Sequence, residues 1–436
     1  MKVIDNVMNS IQDHAMQIYP EELFYQYQIL AKSFLEKNAA DIKLAASNIA
    51  KIKNTLKKSK INIDWEMFFE NLIEKVEKGE DISVKDIVTV EYTPVEMSQY
   101  LKQLATIIAK RRNEEDNEKM RLCKSIYGFT SCIEPCAYGS YGSCLFVARK
   151  NDKPSLAEKM LGNITSVEGY MKEIKAASQY ATNLKLITTS HKVSSHVLEV
   201  ILNTVKKTRN DEELRNFPIC VSLGALDEKQ IITLKKAGVT RINHNLETSY
   251  YNALYLSAVA NNSDDSNGCR VSIDSAHEYQ KRLTTLITAL NNKMHICSGG
   301  MFFYGDDEIA EDRILLYLTL NELDKIYKYN SSPFNVYVPL KDIVNESIGW
   351  FNAFELPCVE RKKTIDSFSI FKTIIAFSLV VHANHKIVIS AGSKWLGQEY
   401  YSLAVELGGG AGLASYLQQM GSHKSIEIVQ KINSKY

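Results

Sequence analysis

Long apolar runs are missing from this chain. No window of about 18 consecutive apolar residues occurs, which leaves no expected membrane-spanning helix. Residues 1–20, MKVIDNVMNSIQDHAMQIYP, lack the charged head, apolar stretch and small-residue cleavage site of a secretory signal, so the expected location is the cytoplasm. An excess of either charge is missing too. Lys+Arg number 52 and Asp+Glu 51, a net charge of +1, so no broad basic field favours nucleic acid or an anionic membrane. Cysteine is scarce, at 8 in 436 residues, which excludes a disulfide scaffold. No P-loop, HExxH motif or Ser-His-Asp order of a hydrolase is present. The length allows roughly two to three average domains, or one barrel with additions.

What the chain does have is a knot of cysteines. "CIEPCAYGSYGSC" carries Cys132, Cys136 and Cys144 in the spacing C-x3-C-x7-C. Clustered thiols in a reducing compartment point to metal or redox chemistry. Three thiolates close in sequence suit three corners of an iron–sulfur cubane and leave the fourth iron open to a ligand. The glycines at 139 and 142 permit the tight turns needed to bring Cys144 back. Cys123, in a β-rich run just before the loop, is the weaker substitute. A structural zinc on the same three cysteines is the other metal reading, although paired CxxC knuckles are absent. His191, His244 and His295 are possible ligands or acid–base groups, and each alone is more often a satisfied core residue.

The flanking pattern predicts where that loop sits. From Glu21 to Lys60 there is no Gly or Pro, and apolar residues recur at three- and four-residue steps, which predicts helix with a lysine-rich, solvated end. Short helices follow to about residue 118. After that, β-rich runs alternate with helical stretches: Leu122–Thr130, Leu184–Thr189, Ile219–Leu223, Thr240–Leu246, Met294–Cys297, Phe334–Val338, Lys386–Ser390 and a weaker Ala404–Leu407. Thr165-Ser166-Val167-Glu168 predicts a capping box before a helix reaching Tyr180. About eight strand–helix units predict a (β/α)8 TIM barrel, with its chemistry at the C-terminal ends of the strands. The polar stretch Ser257–Val271 reads as a surface insertion.

The loop "RLCKSIYGFTSCIEPCAYGSYG" resembles the cluster loop of radical S-adenosylmethionine (radical SAM) enzymes, specifically the biotin synthase family with its CxxxCxxC pattern. Cys132, Cys136 and the aromatic Tyr138 match, and Gly139 stands where the third cysteine should be. "RINHNLETS", "FPICVSLGALDEKQ", "EYQKRL", "HICSGGM" and "VISAG" follow in the family's order. The resemblance implies a barrel over residues 68–436, with 365–436 like the biotin and thiamin synthesis-associated region, and a helical extension over 1–67. It implies a [4Fe-4S] cluster on Cys132 and Cys136, for which Cys144 is the expected third thiolate in place of Gly139, and S-adenosylmethionine held by Arg282, Glu247, Asn245 and Tyr138. Asn245 and Asn335 are the implied substrate contacts. A second cluster on three cysteines and an arginine is also implied, and Cys220 and Cys297 match two of those ligands. The other two positions fall at Thr188 or Thr189 and at Val388. Phe303 stands in place of a family glycine. The expected activity is hydrogen abstraction from a small organic substrate, nominally dethiobiotin on its way to biotin. Expected partners are a flavodoxin or ferredoxin as electron donor and a second copy in a homodimer. The alternative is a barrel without a normal cluster that binds a ligand or partner.

Overall fold

The computed structural model describes residues 2–58, 62–115, 120–129, 163–188, 193–262, 275–303, 308–328, 330–336, 366–390, 393–413 and 422–434. Cys132, Cys136, Tyr138, Gly139, Cys144, Thr189 and His191 lie outside the described residues.

Among the described residues, six α-helices precede the first strand: α1 (Lys2–Ile18), α2 (Glu21–Glu36), α3 (Ala39–Lys58), α4 (Trp65–Lys78), α5 (Val84–Glu91) and α6 (Ser98–Glu115). Strands β1 (Arg121–Tyr127), β2 (Asn183–Ile187), β3 (Ile219–Ser222), β4 (Arg241–Asn243), β5 (His295–Cys297), β6 (Gly300–Phe302), β7 (Ser331–Val336), β8 (Lys386–Ile389) and β9 (Gly409–Leu413) follow. Among and after them run α7 (Val167–Ser178), α8 (Ser195–Asn210), α9 (Glu228–Ala237), α10 (Tyr250–Asn262), α11 (Ser275–Asn291), α12 (Ala310–Ile326), α13 (Ser367–Val380), α14 (Gly397–Gly408) and α15 (Ser422–Asn433).

Every ladder is parallel, and β7 pairs with both β5 and β6, which closes the sheet into a barrel. β5 and β6 are separated by Ser298 and Gly299 and act as one broken stave, giving the eight staves of a (β/α)8 barrel. The break is built on close approach. A Cβ on Gly299 would strike Pro333 O, and one on Gly300 would strike Leu316 Cδ2 and approach Glu247 O to 2.9 Å.

Barrel strands need apolar residues toward the helices and tolerate polar ones toward the axis. β2 follows that rule: Leu184 and Leu186 are fully buried, while Asn183 and Lys185 between them line an interior cavity. The last strand departs from expectation. Ala404–Leu407 is the buried face of helix α14, and the strand is the glycine-rich GGAGL that follows. Propensity misleads there because β9 lies between β1 and β8, where a Cβ on Gly410 would come within 3.3 Å of Arg121 and Val388 atoms.

Three smaller expectations are also corrected. The predicted helix over 21–60 breaks at Lys37 (φ 55), where Lys37 and Asn38 N–H cap α2 and the Asn38 side chain accepts the Asp41 N–H of α3. The cap of α7 is Ser166, whose hydroxyl accepts the Gly169 N–H, one residue later than predicted. Helix α10 runs to Asn262, so the first part of the predicted polar insertion is helical.

The N-terminal helices share one continuous apolar core with the barrel. Helix α12 shows why. Ile314, Leu315, Leu316, Tyr317, Leu318, Leu320 and Leu323 are buried around most of its circumference, because α1 covers the face that an outer barrel helix usually gives to solvent. Lys53, expected on a solvated face, is instead 1% exposed and forms an ion pair with Asp312 of α12.

Between α5, α12 and α13 lies a buried charge network. Arg313 pairs with Glu91 at 3.0 Å and Glu308 at 3.6 Å, and Thr373 donates to Glu91 at 2.8 Å. Burial pushes Glu308 up to about 7; Arg313 and the Phe303 N–H oppose the shift, while Asp312 and Glu91 add to it. Its folded pKa therefore exceeds the unfolded 4.5, so the folded state holds the proton more tightly. Stability from this group is fullest below 4.5 and falls as pH rises through about 7. The fall has an upper bound of about 3 kcal/mol. Denaturant unfolding of Glu308→Gln should show a flatter pH slope across that window than the parent; parallel slopes would contradict the assignment.

Candidate functional site

The C-terminal ends of β4, β6 and β7 bring together the polar residues singled out in the sequence. After β4 the chain runs alongside the broken stave: His244 N–H donates to Cys297 O, and Leu246 and Glu247 N–H both donate to Gly299 O. The Asn243 side chain donates to Cys297 O at 2.6 Å. This turn holds Glu247 in the left-handed region at φ 69, which is uncommon for a residue with a Cβ. Arg282, on α11, donates through Nη1 to Asn245 O at 2.8 Å and lies 3.7 Å from Glu247 Oε1. The Arg282 and Glu247 side chains are 23% and 26% exposed, anchored yet reachable by a ligand. Asn335 on β7 donates to Gly300 O at 3.4 Å. Phe129 and Phe303, at the ends of β1 and β6, share the left-handed backbone at φ 49 and φ 62. Strained residues thus gather at the barrel mouth, where strain and ligand contact commonly coincide.

The cysteine-bearing segment attaches at the same end. It leaves β1 through Gly128, whose N–H donates to Ile187 O, and Phe129, whose N–H donates to Ile164 O at 3.1 Å. Gly128 and Ile164 also form a bridge, so the two ends of the segment are bonded side by side. A side chain at Gly128 would strike Tyr170 and Ile164 O.

S-adenosylmethionine carries a carboxylate, an amine, ribose hydroxyls and an adenine, and the mouth offers complementary groups. A guanidinium, a carboxylate and two amides are present, and Asn245 Oδ1 is buried with no hydrogen-bond partner among the described residues. A buried acceptor left unsatisfied is costly, and a donor on a ligand would remove the cost. These residues fit the cofactor.

The deeper interior does not fit a second cluster. Cys123, Cys220 and Cys297 come from alternate strands β1, β3 and β5 and line one cavity. Register puts them at one level. Cys220 faces Lys185, which faces Ser125, two residues beyond Cys123; on the other side Cys220 faces Arg241, which faces His295, two residues before Cys297. That stagger is the layering of a tilted barrel. The β2 side chain among these thiols is Lys185, not Thr188, and β8 contributes Val388. The cavity holds about 20 Å³, room for one water and not for an iron–sulfur rhomb. Among the described residues, no group of three or more His, Cys, Asp or Glu is placed to hold a metal ion.

The sulfurs interact with one another and with the lysine instead. The neighbouring Cys220 thiol, together with Lys185 and Ser331, holds Cys297 well below the usual thiol range against the opposing effect of burial. Burial, followed by the proximity of Cys297, pushes Cys220 up. Burial works against the Lys185 ammonium, and Cys297, Cys123 and Cys220 outweigh it, so its pKa is raised. Sequence alternation could have exposed Lys185, because a lysine flanked by Leu184 and Leu186 in a barrel strand must face the axis. After anaerobic reconstitution, Cys220→Ala and Cys297→Ala should keep the parent's iron per chain, and Lys185→Cys should raise it. Iron lost on Cys297→Ala would show that the interior does hold a cluster.

One hydrolase-like arrangement appears that sequence order did not suggest. Ser332 Oγ lies 2.8 Å from His385 Nε2, and His385 Nδ1 lies 2.6 Å from Asp324 Oδ2. All three residues are buried, and the Ser332 hydroxyl donates to Ser298 O. Its proton is committed to a carbonyl and no substrate reaches it, so the trio braces β7 against β8.

A closed parallel barrel with a polar mouth and a cysteine-rich stretch after its first strand is the arrangement of a radical SAM barrel. The fold agrees with solved structures: the FeFe-hydrogenase maturase HydG from Carboxydothermus hydrogenoformans matches at TM-score 0.59 and 16% identity, covering 91% of this chain and 83% of that one. Methylornithine synthase (PylB) matches at TM-score 0.52 and 16% identity, covering 78% and 85%. No family model matches the chain. A biotin synthase of Thermotoga neapolitana is 30% identical over 238 residues, 54% of this chain and 71% of its relative. A biotin synthase of Persephonella marina is 26% identical over 374 residues, 85% of this chain and 95% of its relative. The chain belongs to the biotin synthase family of radical SAM enzymes. Among the described residues, no helix is long and apolar enough to cross a membrane.

Proposed function

We propose that the chain uses S-adenosylmethionine and a [4Fe-4S] cluster on Cys132, Cys136 and Cys144, which together supply a 5′-deoxyadenosyl radical, to abstract hydrogen from a small organic substrate. The observation that carries this reading is the convergence of Asn245, Glu247 and Arg282 at the mouth, at the same end of the barrel as the anchored ends of the cysteine segment. In this reading Arg282 pairs with the cofactor carboxylate, for which a planar guanidinium is suited. Glu247 accepts from ribose hydroxyls, and the buried Asn245 Oδ1 accepts from cofactor or substrate. Asn335, two staves from β4, orients the substrate from β7, Tyr138 serves as a further cofactor contact, and the barrel excludes water.

The substrate is a small molecule whose amide- or urea-like edge meets Asn245 and Asn335. Dethiobiotin has such an edge, yet an interior without a second cluster has no sulfur to give, so the reaction ends without sulfur insertion. A flavodoxin or ferredoxin supplies the electron, and the enzyme works in the cytoplasm as a homodimer. Equilibrium binding of S-adenosylmethionine to anaerobically reconstituted protein tests the reading. Arg282→Met should weaken binding by about thirtyfold or more, the usual cost of removing one partner of a partly buried charged contact. Unchanged affinity would refute the assignment, and biotin formed from dethiobiotin would refute the sulfur-free outcome.

A further inference from the structure

Lys53 belongs to α3, in the N-terminal region outside the family resemblance. Its ammonium donates to Asn252 Oδ1 at 2.7 Å and to Asp312 Oδ2 at 2.8 Å, and it lies 4.5 Å from the centre of the Tyr255 ring. Both acceptors sit in the first turn of a barrel helix, Asn252 in α10 and Asp312 in α12. Each of those helices follows a segment of the mouth.

On the α10 side, Asn252 Nδ2 donates to Thr248 Oγ1 at 2.8 Å, and Thr248 is the residue bonded to Glu247. On the α12 side, Asp312 Oδ2 accepts the Ile309 N–H at 3.2 Å, and the preceding residue, Glu308, accepts the Phe303 N–H. Tyr19 of the segment after α1 donates to Asp312 Oδ1 at 2.7 Å and Tyr27 of α2 donates to the same oxygen at 3.4 Å, so with Lys53 the N-terminal region grips Asp312 three times. Glu247 and Phe303 are both non-glycine residues at positive φ. Such backbone costs about 1–3 kcal/mol per residue and persists only where the surroundings enforce it. Lys53 is hydrogen bonded to the surroundings of both.

We propose that Lys53 is a positioning residue for the S-adenosylmethionine site, holding the Glu247 turn through Asn252 and Thr248 and the start of α12 through Asp312. The inference rests on the functional reading above and gives the N-terminal helices a role in it: they set the geometry of a mouth to which they contribute no ligand contact. An exchange at Thr248 cuts the relay without touching a charge. The paired exchange Lys53→Met with Asp312→Asn removes both charges together and leaves neither buried alone.

The experiment measures the Kd for S-adenosylmethionine, iron content, melting temperature and rate of 5′-deoxyadenosine formation at saturating cofactor. It uses reconstituted full-length parent, Thr248→Val and the Lys53→Met/Asp312→Asn double variant. Both variants should keep parental iron and a cooperative melt, with Kd raised about tenfold and the saturated rate close to the parent's. A purely structural role would move the melt and leave Kd in place. Folded variants that bind as tightly as the parent would overturn the proposal, and Thr248→Val alone decides if the double variant does not fold. A parent that binds no S-adenosylmethionine would overturn the underlying reading instead.

Discussion

Cys132→Ala or Cys136→Ala is expected to leave the reconstituted protein without its cluster and to lower S-adenosylmethionine cleavage by about a thousandfold or more. A cubane on three thiolates does not survive loss of one without another donor nearby, and soft iron–sulfide sites take hydroxyls poorly. Cys144→Ala should behave identically, because Gly139 offers no donor where the family places its third cysteine. Rescue makes the test sharp. Adding Gly139→Cys to Cys144→Ala restores the CxxxCxxC spacing and should return iron and the visible thiolate-to-iron absorbance. Cys144→Ala with parental iron would remove Cys144 from the ligand set, and Cys132→Ala with parental iron would remove the cluster loop itself.

The second large effect is on stability. Lys53→Met strands Asp312, whose side chain is 1% exposed. Breaking a buried ion pair from one side costs about 3–5 kcal/mol. Tyr19, Tyr27 and the Ile309 N–H still donate to Asp312, which places the expected loss toward the lower end. The double variant with Asp312→Asn should recover most of it, because a neutral amide can accept the Ile309 N–H through its oxygen and donate to the tyrosine hydroxyls. Denaturant unfolding of parent, single and double variants measures both quantities. A single variant within about 0.5 kcal/mol of the parent would mean that the pair adds nothing net to the fold.

Parts of this architecture were plain in the chain. The strand–helix alternation after residue 120 marked a barrel because parallel strands need crossovers, and RINHNLETS and EYQKRL carried residues that the fold brings within hydrogen-bond reach. What stayed hidden has physical causes. β9 hid because its glycines answer to crowding between β1 and β8, whereas periodicity reads apolar bulk and found it in α14. Lys53 read as one more lysine in a basic helix end, since helical spacing shows which face it shares and not what covers that face; α12 and α10 cover it from more than 190 residues away. Lys185 was legible in part. Its alternation with Leu184 and Leu186 turns it to the axis, but only strand register places it opposite Cys220, among the thiols. The trio Asp324, Ser332 and His385 has no recognised order in sequence, and its geometry emerges only when β7 and β8 pair.

The most direct test of the account is the product formed when anaerobically reconstituted protein is reduced in the presence of S-adenosylmethionine and resolved by chromatography. The account predicts 5′-deoxyadenosine and methionine in equal amounts, with both lost in Cys132→Ala and both strongly reduced in Arg282→Met at limiting cofactor. A parent that takes up its iron, is fully reduced and returns S-adenosylmethionine intact would contradict it.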